Sequence, residues 1–352
     1  MAIGRFAGTA GEWLRGAGPE ADIVISTRIR LARNVDGFPF QTRANPEQRR
    51  ELADLLQGAL KEVLTKERPL YVDVEKALDL DRQFLVERHL ISRDLAGGEG
   101  PRGVVVTPPE DVSVMINEED HVRLQVLHTG YQVRDTWKRA DALDDALQER
   151  LPPAFSSRLG YLTACPTNVG TGLRVSVMVH LPALVITKHI EKVFYAMSKI
   201  NLAVRGLYGE GTQAASDFFQ ISNQVTLGKT EEEILKTLES VLPEVVRYER
   251  EARQSLQRDN PSRLEDRVWR AYGVLAHART ITSEEALEKL SALRLGVNLG
   301  LVGGVDIQAV NELFILTQPA HLQKLRKDEL EPAARDVARA EYLRERLKGK
   351  TK

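Results

Sequence analysis

Arginines, carboxylates and one cysteine supply the reactive groups of this chain. Arg28 and Arg30 lie in "STRIR", Arg123 ends "NEEDHVR", Arg174 ends "GTGLR" and Arg205 sits in "VRGLYGEG". Arg28 and Arg30 are two residues apart, so an extended strand projects them from one face. Two guanidinium groups on one face repel unless an anion lies between them. A polyphosphate suits the planar, bidentate fork of arginine; a solvated basic edge strand is the other reading of this pair. The chain has no GxxxxGK[ST] loop and no HRD or DFG set, so a nucleotide would be held mainly by these arginines.

The carboxylates gather in "INEEDHVR", where Glu118, Glu119 and Asp120 share a hairpin tip. Adjacent like charges call for a cation. That cation is either a metal or a guanidinium, whose N–H fork matches two carboxylates; an ordinary acidic turn is the third reading. Alternation puts Glu119, His121 and Arg123 on one side. A further carboxylate, Glu210, stands in the Gly-flanked loop "RGLYGEGTQ", whose composition suits a mobile lid. The single cysteine, Cys165, precedes Pro166 at a chain turn. Most free cysteines are buried and inert, but neighbouring arginines would favour the thiolate here.

Alternation and capping signals identify the elements that must carry these groups. Residues 22–34, "DIVISTRIRLARN", begin as a strand and turn basic. Asn45, Pro46 and Gln48 write the start of a helix with a capping box, and Leu52, Leu55, Leu56, Leu60 and Val63 form its buried stripe. Val112, Val114 and Ile116, then Val122, Leu124 and Val126, predict two half-buried strands of an antiparallel hairpin. Strands are also expected within 173–182 and 200–211, and helices over 134–151 and 183–199. This pattern is a mixed sheet covered by helices, without the regular alternation of a parallel α/β fold. Thr230 and Glu233 form a capping box that opens a long charged helix, ending near residue 258 at "RDNPSR". Every later segment carries helical periodicity, which predicts four or five helices and a division into 1–258 and 259–352.

A chain of 352 residues suits one large domain plus a smaller one, or two of moderate size. Lys+Arg 49 against Asp+Glu 50 leaves a net charge of -1, so bulk charge advertises neither nucleic acid nor membrane as a partner. No apolar run approaches the ~20 residues a membrane span needs, and no signal-peptide pattern opens the chain. A soluble, cytoplasmic protein without a dedicated metal site is expected.

In order, "STRIRLARN", "NEEDHVR", "CPTNVGTGLR", "VRGLYGEG" and "ISNQVTLGKTEEE" resemble the catalytic domain of the phosphagen (guanidino) kinases, from about residue 22 to 250. The resemblance implies an α+β fold, an antiparallel sheet flanked by helices of the glutamine-synthetase-like type. It also implies ATP as phosphoryl donor, Mg²⁺ held mainly by the nucleotide, and a guanidinium acceptor. Arg28, Arg30, Arg123, Arg174 and Arg205 then correspond to the arginines that bind the phosphates. Ser26, Thr27, Ile29, Val175, Ser176, Val177, Gly206, Leu207, Tyr208 and Gly209 fall in the matching nucleotide segments. His89 matches the adenine-side histidine, and Met178 stands where the family has a histidine. Glu119 and Glu210 correspond to the paired carboxylates that orient the acceptor, and Cys165 to the reactive thiolate.

Two departures narrow the implied acceptor. Small-molecule kinases of this family carry a helical domain ahead of their "SSRxR" segment, whereas here that segment begins at Ser26. A more open acceptor site, suited to a side chain on a protein, is the expected consequence. The helical region beyond 258 is the second departure, and both match the bacterial McsB-type protein arginine kinases. In "RDVARA", Arg335 and Arg339 are four residues apart on one helical face. Like charges at that spacing cost about 0.2–0.5 kcal/mol, which either a surface salt bridge or a bound anion would relieve. The segment matches the RDxxRA motif, by which Arg335, Asp336, Arg339 and Ala340 are implied to bind phosphoarginine for allosteric control. Implied partners are arginine-bearing protein substrates, an activating zinc-binding protein, a Clp-type protease, a stress-gene repressor and further copies of the chain.

Overall fold

The computed structural model describes residues 2–206 and 216–348. In chain order its strands are β1 (Val24–Arg33), β2 (Leu70–Asp73), β3 (Gly103–Val106), β4 (Val112–Ile116), β5 (Val122–Thr129), β6 (Phe155–Ser156), β7 (Gly160–Tyr161), β8 (Leu173–His180), β9 (Leu202–Gly206) and β10 (Phe218–Asn223). The helices are α1 (Pro46–Val63), α2 (Asp79–Glu87), α3 (Arg93–Gly97), α4 (Val133–Gln148), α5 (Pro182–Ile186) and α6 (Ile190–Ser198). They continue as α7 (Glu231–Asp259), α8 (Pro261–His277), α9 (Ser283–Asn298), α10 (Ile307–Leu316), α11 (Pro319–Arg326) and α12 (Pro332–Leu347).

Among the described residues, eight strands form one sheet in the order β2-β3-β4-β5-β1-β8-β10-β9. Every pairing in it is antiparallel. The mixed sheet expected from alternation alone is thereby corrected, while the antiparallel sheet with flanking helices is observed. β1 is central, and its alternation gives the sheet two chemically different faces. One face carries Ile29, Leu31, Val126, Val175, Val177 and Ile221, packed with Leu56 of α1, Ala140 of α4 and Leu238 of α7 in one apolar cluster. Each fully buried aliphatic side chain of that kind contributes about 1.5–3 kcal/mol. The opposite face carries Arg28, Arg30, Arg174 and Arg205, so the core positions the polar groups by excluding them.

Capping chemistry sets the helix starts as expected. Asn45 accepts from Gln48 N while the Gln48 side chain accepts from Asn45 N, and Thr230 and Glu233 repeat the pattern at α7. The buried stripe of α1 is narrower than predicted, because Leu55 is 42 % exposed. β4 and β5 differ from the expected half-buried strands, since Met115 on the polar side packs beneath α2 in a separate cluster with Phe84 and Val104. The helix expected over 183–199 breaks into α5 and α6 at Lys188, whose φ is 60°.

Helices α8, α9, α10 and α12 pack against the sheet through a shared apolar cluster that includes Trp13, Ile25, Leu127 and Phe218, while α11 places Ala320 in the cluster of Phe84 and Val104. A polar junction reinforces it. Arg294 of α9 donates to Ala21 O at 2.7 Å and Asp22 O at 2.9 Å, and lies 3.0 Å from His180 Nδ1. Among the described residues no helix is long and apolar enough to cross a membrane.

Candidate active site

Register places the arginines side by side. Arg30 is the cross-strand partner of Arg174, Arg28 faces Ser176, and Arg205 faces Gln220 across β9 and β10. Arg28 donates to Gln220 Oε1, and Arg174 Nη2 donates to Ser222 Oγ at 3.2 Å. Burial, then the Arg174 charge, pulls the Arg28 guanidinium down to about 10. Burial also holds Arg30 well below its usual value, helped by Arg28, Arg174 and Arg123 and opposed by Glu118. Arg30 Nε is buried without a hydrogen-bond partner. A buried cation in that state is costly, and an anion of several oxygens is the ligand that would relieve the group as a whole.

The acidic tip resolves into three separate roles. Glu118 is nearly inaccessible, with a side chain 1 % exposed; it accepts from Arg123 Nη1 at 2.8 Å and from Ser92 Oγ at 2.6 Å. Glu119 is exposed and also accepts from Arg123. Burial alone would lower the Arg123 guanidinium, but Glu118, Asp120 and Glu119 outweigh it and raise it. The two glutamates thus already grip one guanidinium. Asp120 is fully buried; its Oδ1 accepts from Asn34 Nδ2 at 2.8 Å and from Ala164 N at 2.7 Å.

His121 does not join Glu119 and Arg123 on the polar side. It is fully buried, its Nδ1 accepts from Val35 N at 3.0 Å, and its Nε2 therefore donates to Pro39 O at 3.0 Å. Burial lowers its pKa, which keeps it neutral. Among the described residues no group of His, Cys, Asp and Glu could hold a metal.

Cys165 is half-buried, and its Sγ lies 2.9 Å from Thr167 Oγ1. Its loop is tied down at both ends, by Asp120 at Ala164 and by Thr226, whose Oγ1 lies 2.9 Å from Thr167 O and 2.7 Å from Val169 O. Gly172 then turns the chain into β8 with φ 61°, and a Cβ there would lie 2.6 Å from Ala32 O. Glycine is required at that close approach, and Arg174 follows two residues later.

His89 adopts φ 59° and meets the edge of Trp13 at 5.5 Å. Burial, then Arg28 and Arg93, drives its pKa down to about 3. Ser26, Ser176 and Met178 line small spaces with Trp13 and His89 beside Arg28. Thr27, Ile29, Val175 and Val177 are fully buried and alternate to the other face; Thr27 Oγ1 donates to Gly130 O at 2.8 Å. Any contact these four make with a ligand on the polar face would come from their main chain. Gly206 ends β9. Leu207, Tyr208, Gly209 and Glu210 lie outside the described residues.

A cleft of about 440 Å³ is bounded by Arg28, Arg30 and Arg205 on the sheet, Glu87 and His89 at the end of α2, and Pro319 at the start of α11. In α12, Arg339 is 1 % exposed and donates to Thr317 O at 2.9 Å, Ile281 O at 2.8 Å and Asp336 Oδ1 at 2.6 Å. Arg335 is half-buried and Ala340 packs in the helical core. The like-charge strain expected of Arg335 and Arg339 is therefore met in part within the helix. Glu118, Asp120, Trp13, Gln220 and Glu87 escaped the sequence reading. Position at the hairpin tip marked the first two only as members of an acidic cluster.

The ATP:guanido phosphotransferase C-terminal catalytic domain model matches residues 51–252, so Arg28 and Arg30 precede the matched span. The protein-arginine kinase McsB C-terminal domain model matches 261–352. A protein-arginine kinase of Symbiobacterium thermophilum is 49 % identical over 338 residues, covering 95 % of this chain and 96 % of the relative. That of Bacillus subtilis is 45 % identical, covering 95 % and 93 %. Among solved structures, a lombricine kinase superposes with a TM-score of 0.59 at 27 % identity, over 71 % of this chain and 70 % of that one. Substrate-free duplicated taurocyamine kinase from Schistosoma mansoni gives 0.57 at 27 % identity, over 73 % and 39 %. With both halves matched in order and near-complete relatives at this identity, the chain is a kinase and belongs to the protein-arginine kinases among the ATP:guanido phosphotransferases.

Proposed function

We propose that this kinase transfers the γ-phosphoryl group of ATP to the guanidinium of arginine side chains in other proteins. The observation that carries the reading is the Arg28, Arg30 and Arg174 cluster, in which buried Arg30 Nε lacks a partner. A polyphosphate supplies the missing negative charge. Arg123 and Arg205 complete the phosphate side, Ser26, Ser176 and Gly206 adjoin it, and His89, neutral in its buried setting, faces the base. Mg²⁺ would arrive with the nucleotide and neutralise charge on the transferring group.

On the acceptor side, Glu119 and Glu210 would each accept N–H bonds from the acceptor guanidinium. A protonated guanidinium is a poor nucleophile. Holding it in line lets the N–P bond form as the bond from Pγ to the bridging oxygen breaks, ADP leaves, and the nitrogen's proton passes to a carboxylate. In-line positioning and charge neutralisation supply most of the catalysis in such transfers. The grip of Glu118 and Glu119 on Arg123 supports the reading, since the geometry that holds one guanidinium suits another. Cys165, on a loop bonded to the acidic tip, would place its sulfur beside the acceptor.

The same reading makes Arg335, Asp336, Arg339 and Ala340 a phosphoarginine sensor. It makes the product a mark for Clp-type proteolysis and a control on a stress-gene repressor in the cytoplasm, with a zinc-binding activator and self-assembly. Family resemblance supports these roles. The decisive test incubates the kinase with labelled ATP and either free arginine or a denatured protein, with phosphoarginine read by mass spectrometry at neutral or basic pH. Transfer to protein is expected; transfer to the free amino acid alone overturns the reading.

A further inference from the structure

The cleft that holds Arg28 and Arg30 has three walls from different parts of the chain. The sheet supplies one, the end of α2 and the residues that follow it the second, and the junction of α10 with α11 the third, through Ile315, Gln318 and Pro319. A single side chain joins the second wall to the third. Glu87 accepts from Ala320 N at 2.8 Å and His321 N at 3.1 Å, the opening N–H groups of α11, and lies 2.9 Å from His321 Nδ1. Helix N-termini present unsatisfied N–H groups and partial positive charge, and a carboxylate answers both.

We infer that Glu87 is a positioning residue for nucleotide binding: its carboxylate fastens the helical region to the end of α2 and so fixes the width of the arginine-lined cleft. This rests on the nucleotide reading of that cleft.

The surroundings support a strut rather than incidental packing. The next residue, Arg88, is 1 % exposed and forks onto Glu110, with Nη1 on Thr9 O at 2.8 Å and 3.0 Å from His321 Nε2. His321 is thus held from both sides by consecutive residues of the α2 end. His89, one step further, is the cleft residue that meets Trp13. A shift of α11 relative to α2 changes the separation of His89 and Pro319, which line opposite walls of the cleft. Burial pushes the Glu87 carboxyl up to about 7, against the Ala320 and His321 N–H groups and the charges of Arg339 and Arg335. The facing groups are His321 on α11, Arg335 and Arg339 on α12, and, across the cleft, Arg28 and Arg30. The strut is therefore fully charged above neutrality and half lost near it.

The experiment measures Mg-ATP affinity of the full chain, by calorimetry, for the wild type and for Glu87→Ala, Glu87→Gln and Lys324→Ala. Lys324→Ala breaks another bond between the same two helices, to Asp81, outside the cleft. Glu87→Ala is expected to weaken Mg-ATP about tenfold, and Glu87→Gln about fivefold at pH 8, as loss of an anion at a helix N-terminus would. The Glu87→Gln to wild-type ratio should approach one at pH 6, where the wild-type carboxyl is protonated; taking the ratio cancels ionisation of ATP itself. Lys324→Ala should bind as the wild type does. A ratio constant with pH, Glu87→Gln binding tighter at pH 8, or Lys324→Ala weakening to the same extent each overturns the inference. Should Glu87→Ala fail to fold, the Glu87→Gln ratio decides alone. If the wild type itself does not bind Mg-ATP, the nucleotide reading has failed instead.

Discussion

Asp120 and Ala164 are joined by a hydrogen bond of 2.7 Å between a fully buried carboxylate oxygen and a main-chain N–H. It fastens the acidic tip between β4 and β5 to the loop of Cys165, so the residues beside each partner, Glu119 and Cys165, belong to abutting loops. Asp120→Ala removes this bond and the one to Asn34. Losing buried partners of an ionised group costs about 1.5–3 kcal/mol each. Unfolding in urea should show a loss of that order, and phosphotransfer should fall even where the protein remains folded.

Arg30 offers the opposite trade. Its neighbours Arg28 and Arg174 repel it, and its Nε is buried without a partner. Arg30→Met should leave stability unchanged or raise it by about 1 kcal/mol, since it removes a half-buried, repelled charge with an orphaned Nε, while abolishing Mg-ATP binding. A clear drop in the unfolding midpoint would show that Arg30 is held by the fold and not by its ligand.

The two arginines of α12 should separate by measurement. Arg339 holds three acceptors while 1 % exposed, so Arg339→Ala should cost about 3–5 kcal/mol. Arg335→Ala should stay within about 0.5 kcal/mol of the wild type, yet lose phosphoarginine binding. Calorimetry with phosphoarginine and thermal melts of both variants check this.

His89 sets a pH dependence of known sign. Its folded pKa is about 3, below the ordinary 6.5, so the unfolded chain binds the proton first as pH falls. Its contribution to stability is complete above pH 6.5 and is lost progressively toward pH 3. Urea unfolding at pH 7.5 and 5 should show the wild type losing more stability than His89→Gln over that interval.

Gly172 is the turn that delivers Arg174. Its φ of 61° and the 2.6 Å approach of a Cβ to Ala32 O leave Gly172→Ala no unstrained conformation. ATP-dependent transfer should fall at least tenfold, in line with misplacement of a positioned group; unchanged kcat/KM would refute the role of the turn.

Capping boxes were legible because they are local: Asn45 with Gln48 and Thr230 with Glu233 need only their own spacing. The hairpin of β4 and β5 was legible from alternation. β3 was not, since "GVVV" is buried on both faces and shows none; β2 and β10 were also passed over. Alternation showed that Arg28 and Arg30 share a face, but not that Arg174 pairs with Arg30, which depends on register. Glu118 and Glu119 read alike in sequence. Their difference, one buried on Ser92 and the other exposed, comes from segments distant along the chain.

The period of β1 carries a constraint on how this gene can change. Arg28 and Arg30 alternate with Ile29 and Leu31, and β1 is paired on both edges, with β5 and β8. One codon inserted or deleted within the strand would exchange the two sets beyond it, turning guanidinium groups into the apolar core and aliphatic ones toward the cleft. Point substitutions can be sampled here one at a time, but changes of length cannot, so the strand's length should be invariant across the lineage.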